Sequence, residues 1–189
     1  MRQKIKQLFL VLLISISVSS CAYYTYNNKT YADPDSALNA QSANLNEILN
    51  QVNPEPEPIA TKAIILIPDY STITDKSIKK GRIANVEVVD YVSTATQNDL
   101  RFMAQYIKKF NLFNEIEIKE TADPEKASRN ISGQTIVIYY KTNNVDDQGW
   151  YLRTTANTVK ELKFDATVPA GIDRTKRWLT ELKQVIMKS

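Results

Sequence analysis

Histidine is absent from this 189-residue chain, and cysteine occurs once, at Cys21. The first absence excludes Ser-His-Asp and Cys-His catalysis and removes the commonest zinc ligand. The second excludes an intramolecular disulfide and any cysteine-based metal site, although the compartment argued below would permit disulfides. Glycine is scarce as well. Gly81, Gly133, Gly149 and Gly171 are scattered, so no glycine-rich loop can cradle a phosphate, and nucleotide binding is not expected. The basic excess is only apparent: the formal charge is +3, but Arg2, Lys4 and Lys6 lie in the first twenty residues, which hold no acid. Beyond them 21 basic residues face 21 acidic ones, so the whole-chain pI of 8.8 is not a nucleic-acid footprint.

What is present begins with the leader. Residues 1–20 join a basic start to an apolar run from Leu8 to Val18, broken only by Ser15 and Ser17, and then Ser19 and Ser20. That is the three-part plan of a secretory signal. Eleven residues are too few to span a hydrocarbon core, which needs about 20 as a helix. Val18-Ser19-Ser20-Cys21 resembles the bacterial lipobox, an aliphatic residue, two small residues and cysteine. The resemblance implies cleavage between Ser20 and Cys21, with diacylglycerol on the Cys21 thiol and, in many bacteria, an N-acyl chain. Two or more acyl chains hold a protein on a membrane without any inserted helix. Ala22 rather than aspartate follows the cysteine, which by the family's sorting rule favours the outer membrane, facing the periplasm.

The remaining chain divides into residues 21–58 and a domain of 59–189. Tyr23, Tyr24, Tyr26 and Tyr31 crowd behind Cys21, and such amphipathic rings suit either headgroup contact or packing on the domain, as a strand for instance. Asp33-Pro34 reads as a helix start, and Leu38, Leu45, Ile48, Leu49 and Val52 recur near helical spacing. Asn53-Pro54-Glu55-Pro56-Glu57-Pro58 can continue no helix and predicts an extended, semi-rigid spacer.

Ala63 to Ile67 is a continuous apolar run, the pattern of a strand buried on both faces. Val86 to Val92 is rich in β-branched residues and predicts a second strand, with 69–83 as a loop or hairpin arm. Thr96 and Asp99 form a capping box before Leu100, Met103, Ala104, Ile107 and Phe110, which share one helical face. Further strands are expected at 115–119, 134–141, 150–156 and 159–165, the last three as an antiparallel meander with a turn at Asn157. A short helix starts at Asp123-Pro124, and Asp173 is expected to cap a C-terminal helix with Trp178, Leu179, Leu182, Val185 and Ile186 inward. The order β-β-α-β-α-β-β-β-α, after an N-terminal helix, predicts an α/β layered sandwich of a mixed sheet with helices.

The strand Ala63 to Pro68, the helix Leu100 to Phe110 and the phrase Asn111-Leu112-Phe113-Asn114-Glu115-Ile116-Glu117-Ile118 resemble a strand-helix-strand unit of envelope domains. That group includes the TolB N-terminal domain and lipoproteins that activate cell-wall synthases. The expected strand at 86–92 is an addition to that unit. The resemblance implies a non-enzymatic envelope adaptor.

Other motifs carry little chemistry. Ser77-Ile78-Lys79-Lys80 matches Ser-x-x-Lys, but the companion elements of penicillin-recognising enzymes are missing, and a solvated basic loop explains it. Asp33 with Asp35, and Asp146 with Asp147, lack the spacing that wraps calcium and fit turns. Lys76, Lys79, Lys80 and Arg82, and again Arg174, Lys176 and Arg177, are basic runs that suit solvated faces or anionic polymers. Trp150 and Tyr151 are neighbours in a strand, so their side chains must point to opposite faces. The sequence therefore assigns no catalytic, cofactor-binding or metal-ligating residue, and Cys21 alone carries assigned chemistry. The expected function is a lipid-anchored, non-catalytic binding or assembly factor for another envelope component. A histidine-free enzyme acting on cell-wall or lipid material, and a small-ligand carrier, are the alternatives.

Overall fold

The computed structural model describes residues 23–71, 86–142, 148–163, 167 and 171–188, with residues 86–93 described as backbone only. Among these residues seven strands and four helices follow in chain order: β1 Tyr24–Tyr26, β2 Lys29–Tyr31, α1 Pro34–Asn50, β3 Ala60–Pro68, α2 Val86–Lys109, β4 Phe113–Thr121, α3 Pro124–Arg129, β5 Ile136–Lys141, β6 Gly149–Arg153, β7 Val159–Leu162 and α4 Ile172–Met187. The sheet is mixed, in the order β4-β3-β5-β6-β7. β3 runs parallel to both β4 and β5, and β5, β6 and β7 form the expected antiparallel meander. The α/β layered architecture read from the sequence is the one found.

Two helices on opposite faces follow from the connections. The crossover from β3 to β4 goes one way across the sheet, and the crossover from β4 to β5 goes back the other way. Right-handed crossovers then place α2 and α3 on opposite sides. Accordingly Leu100, Ala104 and Ile107 of α2 pack with Ala63, Ile65 and Ile67 of β3, while Ala127 of α3 packs on Ile64 and Leu66. Strand alternation in β3 thus supplies both cores, which is why its run is apolar throughout.

One expected element is corrected. Residues 86–92 are the first two turns of α2, which runs unbroken for 24 residues, and not a strand. Thr96 and Asp99 consequently lie inside a helix and form no capping box at its start. The strand expected at 86–92 is therefore not an addition to the strand-helix-strand unit. Asp173 is also displaced from its expected role: α4 begins after Gly171, whose φ of 122° is a conformation open to glycine, and Asp173 sits in the first turn. Asp33 and Asp123 do cap their helices, accepting from Ser36 N at 2.8 Å and Lys126 N at 2.9 Å.

With few glycines, asparagine takes the left-handed positions. Asn27 and Asn28 have φ of 50° and 61° and close a two-residue hairpin between β1 and β2. Asn111 and Asn157, with φ of 61° and 62°, take the same left-handed conformation after α2 and after β6. Asparagine tolerates this region because its side chain is short and polar.

The N-terminal elements belong to the same body. Leu45 and Ile48 of α1, with the following Val52, join the main core, and Tyr106 Oη donates to Leu45 O at 2.9 Å. The proline stretch is not a stand-off spacer. Glu55 N donates to Phe110 O at 2.9 Å, Asn111 Nδ2 donates to Glu55 O at 2.9 Å, and Lys183 Nζ meets Glu55 Oε2 at 2.5 Å. Prolines free the segment from helix and sheet, and these contacts lay it along the domain.

Candidate functional site

The tyrosines behind Cys21 divide by the pleat of their hairpin. Tyr24, Tyr26 and Tyr31 share the face turned toward α1, and Tyr24 is buried against Ala37, with Leu38 and Ala95 beside it. Tyr23, just before the hairpin, is 69% exposed. Packing on the domain therefore accounts for three of the four rings.

Between this hairpin, α1, α2 and the start of α4 lies a groove of about 380 Å³. Its floor is apolar, from Leu45, Ile48 and Met103, and its rim is polar, from Tyr26, Asn27, Asn44, Asp99, Arg174 and Thr175. Helical spacing brings Asn44 and Ile48 to one side of α1, and Asp99, Met103 and Tyr106 to one side of α2. Asn44 Nδ2 donates to Tyr26 Oη at 2.9 Å and fixes the hairpin to α1. Burial pushes the Tyr26 phenol up, with that hydrogen bond partly opposing it, so the ring stays a neutral hydroxyl.

Asp99 is the one carboxylate on the groove among the described residues. Its outer edge is open to solvent, yet the surrounding protein pushes its pKa above the usual carboxylate range, with the hydrogen bond from Gln41 partly opposing the shift. Gln41 is 1% exposed and bridges the helices: its Nε2 donates to Ala95 O at 2.8 Å and to Asp99 Oδ1 at 3.0 Å. A buried amide in the middle of α1 needs such partners, because an unpaired one costs roughly 1–3 kcal/mol. Tyr106 is likewise raised by burial and held as a donor to Leu45 O. Tyr26, Asn44, Asp99 and Tyr106 are thus engaged in holding two helices and a hairpin in place.

A second recess of about 390 Å³ lies at the meander, where Tyr140 and Trp150 meet Glu161 and Lys163. Trp150 turns inward, 3% exposed, with its ring 5.8 Å from Trp178. Tyr151 points to the opposite face, half-buried, stacked on Tyr139 at 5.6 Å with Lys141 Nζ 5.6 Å from its ring centre. At the carboxyl end of β3, Tyr70 N donates to Gln97 Oε1 at 3.0 Å, and burial pushes the Tyr70 hydroxyl up to about 12. The Nε2 of Gln97 is buried and has no hydrogen-bond partner among the described residues.

Of the residues singled out in the sequence, Ser20, Cys21, Ser77 to Lys80, Lys76, Arg82, Asp146 and Asp147 lie outside the described residues. Asp33 is engaged as a helix cap, its Oδ2 also accepting from Ser36 Oγ at 2.8 Å. Arg174 lines the groove, whereas Lys176 and Arg177 lie with Glu181 on the outer side of α4. Among the described residues, no group of three carboxylate, thiol or imidazole side chains could hold a metal ion, and no helix is long and apolar enough to cross a membrane. Gln41, Asn44, Tyr26 and Asp99 were not recognised as a group in the sequence. The one usable signal was glutamine and asparagine on a helix whose apolar stripe is narrow.

No family model matches the chain, and neither a curated protein nor a solved structure matches it.

Proposed function

We propose that the protein is a lipid-anchored envelope lipoprotein of the outer membrane, facing the periplasm, that acts as a non-catalytic binding or assembly factor for another envelope component. Lipid on Cys21 supplies the membrane attachment, and the groove between hairpin, α1, α2 and α4 receives the partner. The observation that carries this reading is the groove itself, with its apolar floor and a polar rim in which Tyr26, Asn44 and Asp99 brace the structure. Such a surface suits a short amphipathic segment of a partner protein, its apolar side chains on Leu45, Ile48 and Met103. The helix found at 86–92, in place of the added strand, supports the likeness to envelope adaptor domains drawn from the sequence.

The test places a photo-crosslinking amino acid at Asn27 or Arg174 on the rim, and at Lys126 on the far side of the sheet, in cells producing the full chain. A protein adduct specific to the rim positions is expected. Absence of any rim adduct, with a small molecule co-purifying instead, would replace this reading with that of a carrier. The anchor is checked separately: Cys21→Ser is expected to abolish labelling by a clickable palmitate analogue, and persistent labelling overturns the lipid assignment.

A further inference from the structure

We infer that the domain is held flush on the bilayer by its hairpin side, with no spacer between, an inference that rests on the lipidated-Cys21 reading. The chain is fixed to the folded body from its third residue past the anchor. Tyr24 is 4% exposed, β1 is paired to β2 in register from Tyr24↔Tyr31 to Tyr26↔Lys29, and Tyr26 Oη is bonded to Asn44. Three residues cannot reach farther than about 11 Å when fully extended. The headgroup layer of one leaflet is itself roughly 5–7 Å thick. The backbone at Tyr24 therefore sits within a few ångströms of the headgroups, whatever conformation the connecting residues take.

The proline segment cannot restore distance, because it lies after α1 in the chain and is fastened to Phe110, Asn111 and Lys183. The groups that meet the lipid are then Tyr23 and the outward pair Thr25 and Thr30, all exposed. Tyr23 has the amphipathic ring favoured where headgroups meet water. Asn27, at the tip of the same hairpin, is also a rim residue of the groove. The groove consequently opens close to the membrane plane, and its partner is a segment lying at or emerging from that surface.

The single native cysteine is consumed by the lipid, so an added cysteine is a unique label site. Thr25→Cys, Thr30→Cys and, on the far side of the sheet, Lys126→Cys would each carry an environment-sensitive fluorophore. The lipidated full chain would be placed in phosphatidylethanolamine–phosphatidylglycerol vesicles containing headgroup-linked nitroxide. Quenching at positions 25 and 30 is expected to exceed that at 126 by about threefold or more, since only the former lie within the headgroup layer's reach. Inserting twelve Gly/Ser residues after Ala22, with a mean span of about 18–20 Å, is expected to bring all three positions close together. Equal quenching in the uninserted chain, or quenching that appears only at high protein density and so reports copies meeting each other, overturns the inference. Failure of palmitate to label Cys21 is a different result, and it removes the anchor reading together with this one.

Discussion

The two faces of the sheet are built from the same strands yet covered in different ways. On one side α1, α2 and α4 enclose Ile65, Ile107, Ile138, Leu152, Trp178 and Leu182 in a core of 22 buried residues among those described. On the other side, among the described residues, the six-residue α3, Ile131 and Tyr151 pack against four: Ile64, Leu66, Val137 and Tyr139. The larger core carries the fold, and the smaller one is sealed by polar clamps. Arg153 spans from Ser128 Oγ at 3.2 Å to Asn157 Oδ1 at 2.9 Å, and Glu125 pairs with Arg129 at 2.6 Å. Hydrogen bonding thus ties α3 to β6 beside this smaller cluster.

The sharpest way to break this comparison is one large-to-small change on each side. Leu182→Ala, fully buried on the helix side, is expected to lower stability by about 4 kcal/mol, since its neighbours on three elements cannot collapse into the space. Leu66→Ala on the α3 side is expected to lose less, about 2–3 kcal/mol, because a short helix can settle. Urea unfolding of both variants measures the difference, and equal losses would mean that the two faces are equally rigid.

Smaller effects sharpen the same contrast at the rim of the helix side. Lys183→Ala breaks the half-buried pair with Glu55 and is expected to lower stability by about 1 kcal/mol while loosening the proline segment, read as faster amide exchange at Glu55 and Ile59. Smallest is Asp99→Asn, visible as a change in pH dependence. The folded state raises the Asp99 pKa above its ordinary value near 3.8, so the folded protein holds that proton more tightly than the unfolded chain does. This contribution favours folding in acid and is lost as pH rises through the raised value. Asp99→Asn is therefore expected to raise the urea midpoint at pH 7 relative to the parent, with the gain vanishing below pH 3.8. A gain that is independent of pH would show that Asp99 is not the titrating group.

Much of the helix side was legible. Leu100, Met103, Ala104 and Ile107, and again Trp178, Leu179, Leu182 and Ile186, repeat at three and four residues, and all are buried as expected. The misreading at 86–92 has a plain cause. Val86, Val88, Val89 and Val92 carry a β-branched bias, and a short apolar run does not distinguish strand from helix. Continuity with the strong helix at 94–109 decided the matter. The groove was not legible, because Gln41 and Asp99 are 58 residues apart and meet only when α1 packs on α2.

From the sequence alone came the expected leader and lipid site at Cys21, the exclusion of histidine and disulfide chemistry, and the order of most elements. Those are properties of local composition and spacing, which a chain carries before it folds. Tertiary structure decided that the proline stretch is bound down, that three tyrosines serve the domain, and that a groove forms beside the hairpin. Each of these depends on contacts between distant segments, and such contacts leave no periodic mark on the residues that make them.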